Sequence, residues 1–275
     1  MAQSFDFLSQ RAFKSIFNKQ RFLFIFSSLC CFGFIFALFL KLCVQCAPGI
    51  SLSMLGLAAF FCAFSVICAS AVIVQYLLKK EAQQEVCSIS YALQKNWKSL
   101  WLSLLVSTPF FMAMLAVVTI VMLSVLLCSL PWIGKLFHTV LIFVPYISSV
   151  MLILLFLGAF ASLFFCVPAL SDCKNIDYIK LLLCFKGNVL RQFCGFTIAV
   201  MPLGLCCWLA LDSFYLMTHL VAMADMHTWS FLVQALVLIV PIACILTPAV
   251  GFFFNFSFDF YLSNHGKEFT LPAEE

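Results

Sequence analysis

Charge is scarce in this sequence: 9% of its 275 residues are Asp, Glu, Lys or Arg, against roughly a quarter in soluble domains. With 65% of the residues hydrophobic, that scarcity excludes a water-soluble globular domain, which has too little interior to hide so much apolar surface. Catalytic signatures are missing too. The sequence has no G-x-x-x-x-G-K, G-x-S-x-G or G-x-G-x-x-G, and so none of the loops that cradle phosphate, bend a nucleophilic serine outward or hold a dinucleotide. His138, His219 and His227 share no H-E-x-x-H-type spacing and read as solvated loop residues, so no metal or other cofactor is expected. No acid, base or histidine falls in the middle of an apolar run: Asp212 and Asp259 both stand near run ends. Ion coupling across a membrane therefore has no obvious carrier.

What is present is length and apolarity. Six runs, at residues 22–43, 52–78, 100–130, 136–170, 193–220 and 229–262, are each long enough to cross roughly 30 Å of hydrocarbon. They must be helical, since a span without water has to satisfy its own backbone hydrogen bonds. The fourth run reaches only about 52 Å at 1.5 Å per residue, too short for two crossings and a turn. The expectation is a single polytopic all-α membrane domain over residues 1–275 with six transmembrane helices.

The basic residues orient it. Of fifteen Lys and Arg, thirteen fall in four clusters on one side: Arg11, Lys14, Lys19 and Arg21; Lys79, Lys80, Lys95 and Lys98; Lys174, Lys180, Lys186 and Arg191; and Lys267. Only Lys41 and Lys135 fall on the other side. Positively charged flanks resist translocation, so both termini are expected in the cytoplasm. Trp132 and Trp229 at outer ends, and Trp97 and Trp101 at an inner end, suit the interfacial aromatic belt. The first run is 22 residues long and no A-x-A pattern follows it, which reads as an uncleaved anchor.

The basic clusters lie on short amphipathic stretches that run into spans, at about 5–20, 82–98 and 174–191. Phe5, Leu8, Ala12 and Ile16 keep helical spacing in the first, Val86, Ile89, Leu93 and Trp97 in the second, and Ile176, Ile179 and Leu183 in the third. Their ends match: Phe17-Asn18-Lys19-Gln20, Leu93-Gln94-Lys95-Asn96 and Phe185-Lys186-Gly187-Asn188. Thirteen residues beyond Gln20 comes Gly33, thirteen beyond Asn96 comes Pro109, and fourteen beyond Asn188 comes Pro202. Three units of cytoplasmic interfacial helix plus two-helix hairpin follow, each with a helix breaker near mid-membrane in its first span.

This layout resembles a loose group of poorly characterised bacterial six-span proteins, similar to the membrane domain attached to some glycerophosphodiester phosphodiesterases. The likeness rests on Tyr91-Ala92-Leu93-Gln94-Lys95-Asn96-Trp97 at the entry to a span, and on Val167-Pro168-Ala169-Leu170 ending the fourth span before an inner amphipathic stretch. The chain ends thirteen residues after the last span, so the hydrolytic activity of the enzyme-linked members is not implied.

With that resemblance, the leading expectation is a non-enzymatic multi-pass protein of a bacterial inner membrane that binds anionic lipid head groups or a membrane partner through Lys19, Lys95, Asn96, Lys98, Lys186, Asn188 and Arg191. The net charge of +4 comes from the inner flanks and points to anionic lipid rather than nucleic acid. A second reading is a small permease working around Gly33, Pro109 and Pro202. A third takes the Cys43-Val44-Gln45-Cys46 pair as an outer-face thiol centre. That chemistry needs a second outer pair to exchange with, whereas Cys128 is single and Cys206 and Cys207 lie within a span.

Overall fold

A computed structural model describes residues 5–46, 50–83, 85, 87–128, 143–172, 189–221 and 228–265. These residues form helices α1 (Phe5–Ile16), α2 (Lys19–Cys46), α3 (Ile50–Ala82), α4 (Ile89–Lys95), α5 (Trp97–Cys128), α6 (Val144–Asp172), α7 (Val189–Val221) and α8 (Thr228–His265). No strand occurs among the described residues. Five stretches are long and apolar enough to cross a membrane: Lys19–Phe39, Thr108–Cys128, Val144–Pro168, Val189–Asp212 and Ala235–Asn264. That is the make-up of a multi-pass α-helical membrane protein. The expected span at 52–78 falls in α3, one continuous helix of 33 residues. Many side chains in its first half lie outside the described residues, as do residues 129–142, where the fourth expected span begins.

The short helices differ from their expected bounds in an instructive way. The first is not continuous to residue 20: α1 stops at Ile16, and Phe17-Asn18 forms a joint before α2. Asn18 makes that joint by capping, its Oδ1 accepting from Gln20 N at 3.2 Å and its carbonyl from Phe22 N at 2.9 Å. The second stretch is reduced to the seven-residue α4, because α3 runs on to Ala82 and Ser88 then starts a new helix as N-cap. Asn96 forms the joint to α5, its Nδ2 donating to the Ala92 carbonyl at 2.9 Å and its own carbonyl accepting from Leu100 N at 3.0 Å. The equivalent residues are thus Asn18 and Asn96, two positions off the register that equated Gln20 with Asn96. The third stretch lies outside the described residues up to 188.

Each long helix packs along its sequence neighbour, α2 with α3, α5 with α6 and α7 with α8, while α3 and α8 also touch elements of other pairs. Close approach is made by glycines. A methyl group added at Gly33 in α2 comes within 2.8 Å of Ile239 Cγ2 in α8, one at Gly158 in α6 within 2.6 Å of Phe110 Cε1 in α5, and one at Gly195 in α7 within 2.6 Å of Phe260 Cε2 in α8. Small residues serve this purpose in membranes, where helices gain little from hiding apolar surface and associate by packing.

Phenylalanine fills the space between them, and the chain has 34. Rings run in contact from Phe61 and Phe64 of α3 through Phe111 of α5, Phe160 and Phe164 of α6 and Phe253 and Phe260 of α8 to Phe5 of α1. Their successive centroids lie 4.9–6.4 Å apart, within the range where such pairs add about 0.5–1.5 kcal/mol beyond burial. Around this path, α8 is buried at every residue from 249 to 260. A helix buried all round belongs at the centre of a bundle, and the C-terminal half of α8 occupies that place, with Asn255, Ser257 and Asp259 buried among its apolar residues.

Candidate functional site

The chain's polar chemistry gathers at the end of the bundle that carries the basic clusters. In α8 the sequence Phe254-Asn255-Phe256-Ser257-Phe258-Asp259-Phe260 alternates like a strand, yet it is helical. On a helix, Asn255 and Asp259 share one face and Ser257 points nearly opposite. The contacts follow that geometry. Ser257 Oγ donates to the Phe164 carbonyl of α6 at 2.6 Å. Asn255 Nδ2 donates to the Ala12 carbonyl of α1 at 3.4 Å, and Asp259 Oδ1 stands 3.6 Å from Arg11 Nε.

Asn255 also receives Arg21 of α2, whose Nη1 donates to Asn255 Oδ1 at 3.2 Å. Arg21 is 5% exposed, and its Nη2 pairs at 2.9 Å with Glu81 Oε2 at the end of α3. The Glu81 side chain is itself 55% exposed. The pair is therefore lopsided, a buried cation held by a hydrated anion. One layer inward, Gln75 of α3 donates to the Phe254 carbonyl at 2.9 Å. Arg21 Nε and Gln75 Oε1 are buried without a hydrogen-bond partner among the described residues. The cluster ties α1, α2, α3 and α8 together, with two cations and two carboxylates in balance.

Helix α1 is held here. Its expected apolar stripe is present, with Leu8, Ala12 and Ile16 buried, but it faces α8 rather than lipid. The contacts Phe5 to Phe260, Ala12 to Asn255 and Ile16 beside Gly251 step along α8, so α1 runs alongside that helix. Its other side leaves Phe7 and Phe13 more than half exposed, as is Phe17 at the joint.

The sequence-predicted residues are distributed as follows. Lys19 is exposed at the first position of α2. Lys95 is exposed at the end of α4, donating to the Tyr91 hydroxyl at 3.4 Å and standing 5.5 Å from the centre of its ring. The Tyr91 hydroxyl, by accepting that bond, holds the Lys95 ammonium above the usual lysine range. Nearby, the ion pair of Lys80 with Glu85 lowers the Glu85 carboxyl below its usual range, through the hydrogen bond first. Asn96 is buried and occupied as a helix joint. Arg191, in the first turn of α7, donates to Ser263 Oγ at 2.8 Å and lies 6.0 Å from the Phe260 ring centre, so it ties α7 to α8. The Lys98 side chain, Lys186 and Asn188 lie outside the described residues. Of the seven, Lys19, Lys95, Asn96 and Arg191 are described, and the structure does not bring these four into one site.

The expected helix breakers do not interrupt their helices. Gly33, Pro109 and Pro202 each stand inside a continuous helix. Pro109 faces outward and Pro202 is half-buried. The side chains of Cys43 and Cys46 lie outside the described residues. Among the described residues no group of His, Cys, Asp or Glu is arranged to hold a metal ion. Compared with known proteins, the chain matches no family model, no curated protein and no solved structure.

Sequence reasoning counted Arg21 among the surface cations, let Asp259 reach the interface, and gave Asn255 and Glu81 no part. The signal that finds them is the spacing of Asn255 and Asp259, four residues apart inside an otherwise apolar run. Polar side chains in such a run mark where another element must approach.

Proposed function

We propose that this chain is a six-span protein of a bacterial inner membrane, with both termini cytoplasmic, whose basic end binds anionic lipid head groups or a membrane partner without catalysing a reaction. The six-span, three-unit organisation is supported by the pairing of α2 with α3, α5 with α6 and α7 with α8, and by the asparagine joints before α2 and α5. The observation that carries the functional reading is the exposed aromatic and cationic surface at α4 and the start of α5. Tyr91, Leu93, Trp97 and Trp101 are 40–60% exposed there, with Lys95 among them. Indole and phenol rings sit at the level of head groups, and each nearby Lys or Arg adds about 1 kcal/mol toward an anionic leaflet. The resemblance to six-span membrane domains fits the same layout.

Orientation is tested by fused reporters. One after Glu275 and one within residues 81–95 are expected to read cytoplasmic, and one near Gly49 external. An external C-terminal reporter overturns the six-span arrangement.

Binding is tested with the purified full chain in bilayers of mixed phosphatidylglycerol and phosphatidylcholine. Changing Lys95, Lys98 and Lys186 to Gln is expected to reduce its enrichment of phosphatidylglycerol severalfold, and raised salt is expected to mimic the change, because exposed charges are screened over roughly 8 Å at physiological ionic strength. Pro109→Ala and Pro202→Ala are expected to be silent. Loss of function in cells from the proline changes at normal protein level, with silent charge changes, favours a permease instead.

A further inference from the structure

Between α1 and α8 the basic end carries an open, shallow groove of about 370 Å³, lined by Ser9, Gln10, Phe13, Lys14 and Phe252. It stands apart from the buried Arg21 cluster and from the α4 surface. Its chemistry is divided. Phe13 and Phe252 give an apolar floor, and Phe13 is 58% exposed, a large ring left open to its surroundings. Lys14 and Gln10 are exposed on the rim, and neither side chain has a hydrogen-bond or ion-pair partner among the described residues. Ser9 Oγ donates back to the Asp6 carbonyl at 2.9 Å.

A cation and an amide donor beside an apolar trough match the two parts of a phospholipid, a phosphodiester and an acyl chain. The charge selects the class. With Arg11 beside Asp259 and Arg21 beside Glu81, the arginines of α1 and α2 are balanced, and Lys14 is the cation that lines the groove. Phe7 on α1 and Phe17 at the joint after it, both exposed, continue the apolar surface away from the rim, as contact with neighbouring acyl chains requires.

We propose that the groove between α1 and α8 is a binding site for a single anionic phospholipid, its phosphate at Lys14 and Gln10 and one acyl chain along Phe13 and Phe252. This site deepens the lipid-binding reading above and rests on it, but it is a discrete site rather than a general surface attraction.

The test is native mass spectrometry of the full chain in detergent with added phosphatidylglycerol or phosphatidylcholine. One phosphatidylglycerol is expected to survive activation that strips the other adducts, with no equivalent retention of phosphatidylcholine. Lys14→Gln, at an exposed position that leaves the core intact, is expected to cut the retained fraction about fivefold. Lys95→Gln is expected to lower the number of weak anionic adducts and leave the retained lipid in place. Equal retention in Lys14→Gln and the parent, equal retention of phosphatidylcholine, or displacement by millimolar inorganic phosphate overturns the site. Retention of one lipid together with no phosphatidylglycerol enrichment in bilayers leaves the site standing and removes the general surface reading instead.

Discussion

Glu81→Ala is expected to destabilise the protein by about 2 kcal/mol, and to do so more than Arg21→Met does. The order follows from which partner is buried. Removing Glu81 strands a guanidinium that is 5% exposed, with its Nε already lacking a partner among the described residues. Removing Arg21 frees a carboxylate that is more than half exposed and returns readily to water. The magnitude stays below the 3–5 kcal/mol typical of breaking fully buried pairs, because solvent screens the Glu81 side. The double variant is expected to recover part of the loss, since an apolar residue in the Arg21 place carries no stranded charge. Thermal unfolding in detergent of the parent, both single variants and the double variant gives the comparison. A reversed order of the two single variants means that Arg21 is not held as described.

Gly195→Ala is expected to cost about 1–3 kcal/mol, a large effect for one methyl group. The added carbon lies 2.6 Å from Phe260 Cε2 and 2.9 Å from its Cζ. That ring has nowhere to go: it is 2% exposed and lies among Phe5, Phe164 and Phe256. Gly204→Ala, on the same helix with nothing within 4 Å of the added carbon, is expected to stabilise by up to about 1 kcal/mol, the helix preference of Ala over Gly. Opposite signs at two positions nine residues apart separate packing from helix propensity. Combining Gly195→Ala with Phe260→Leu is expected to cost less than the two changes added, because the smaller side chain admits the methyl group. Equal effects at Gly195 and Gly204 are incompatible with close approach of α7 and α8.

The helical class and most long elements were legible because each rests on a local property, an apolar run longer than a bilayer is thick. The stripe of Leu8, Ala12 and Ile16 was legible for the same reason, as helical spacing is written into consecutive residues. What the stripe covers was not. A face that packs on lipid and a face that packs on α8 ask for the same residue types. The joints at Asn18 and Asn96 were half legible: the asparagines stood out, but their register depended on where each short helix stopped, and capping decides that. Arg21 was misread because charge counting treats every flanking cation as solvated. Its burial depends on Asn255 and Glu81, which are distant in sequence.

The central place of α8 carries a consequence for how the protein is made. Of the eight described helices it leaves the ribosome last, yet α1, α2, α3, α6 and α7 all pack against it. Until it arrives, Arg21 has no Asn255, and the Ala12 carbonyl lacks the side-chain amide that reaches it from 243 positions along the chain. The earlier hairpins then wait in the bilayer around an unfilled centre, their phenylalanines meeting lipid in place of one another. Synthesis interrupted before residue 249 leaves the earlier helices with an arginine held by Glu81 alone on its acidic side and missing its amide partner on α8, the kind of incompletely packed polar group by which quality-control proteases distinguish an unfinished chain from a finished one.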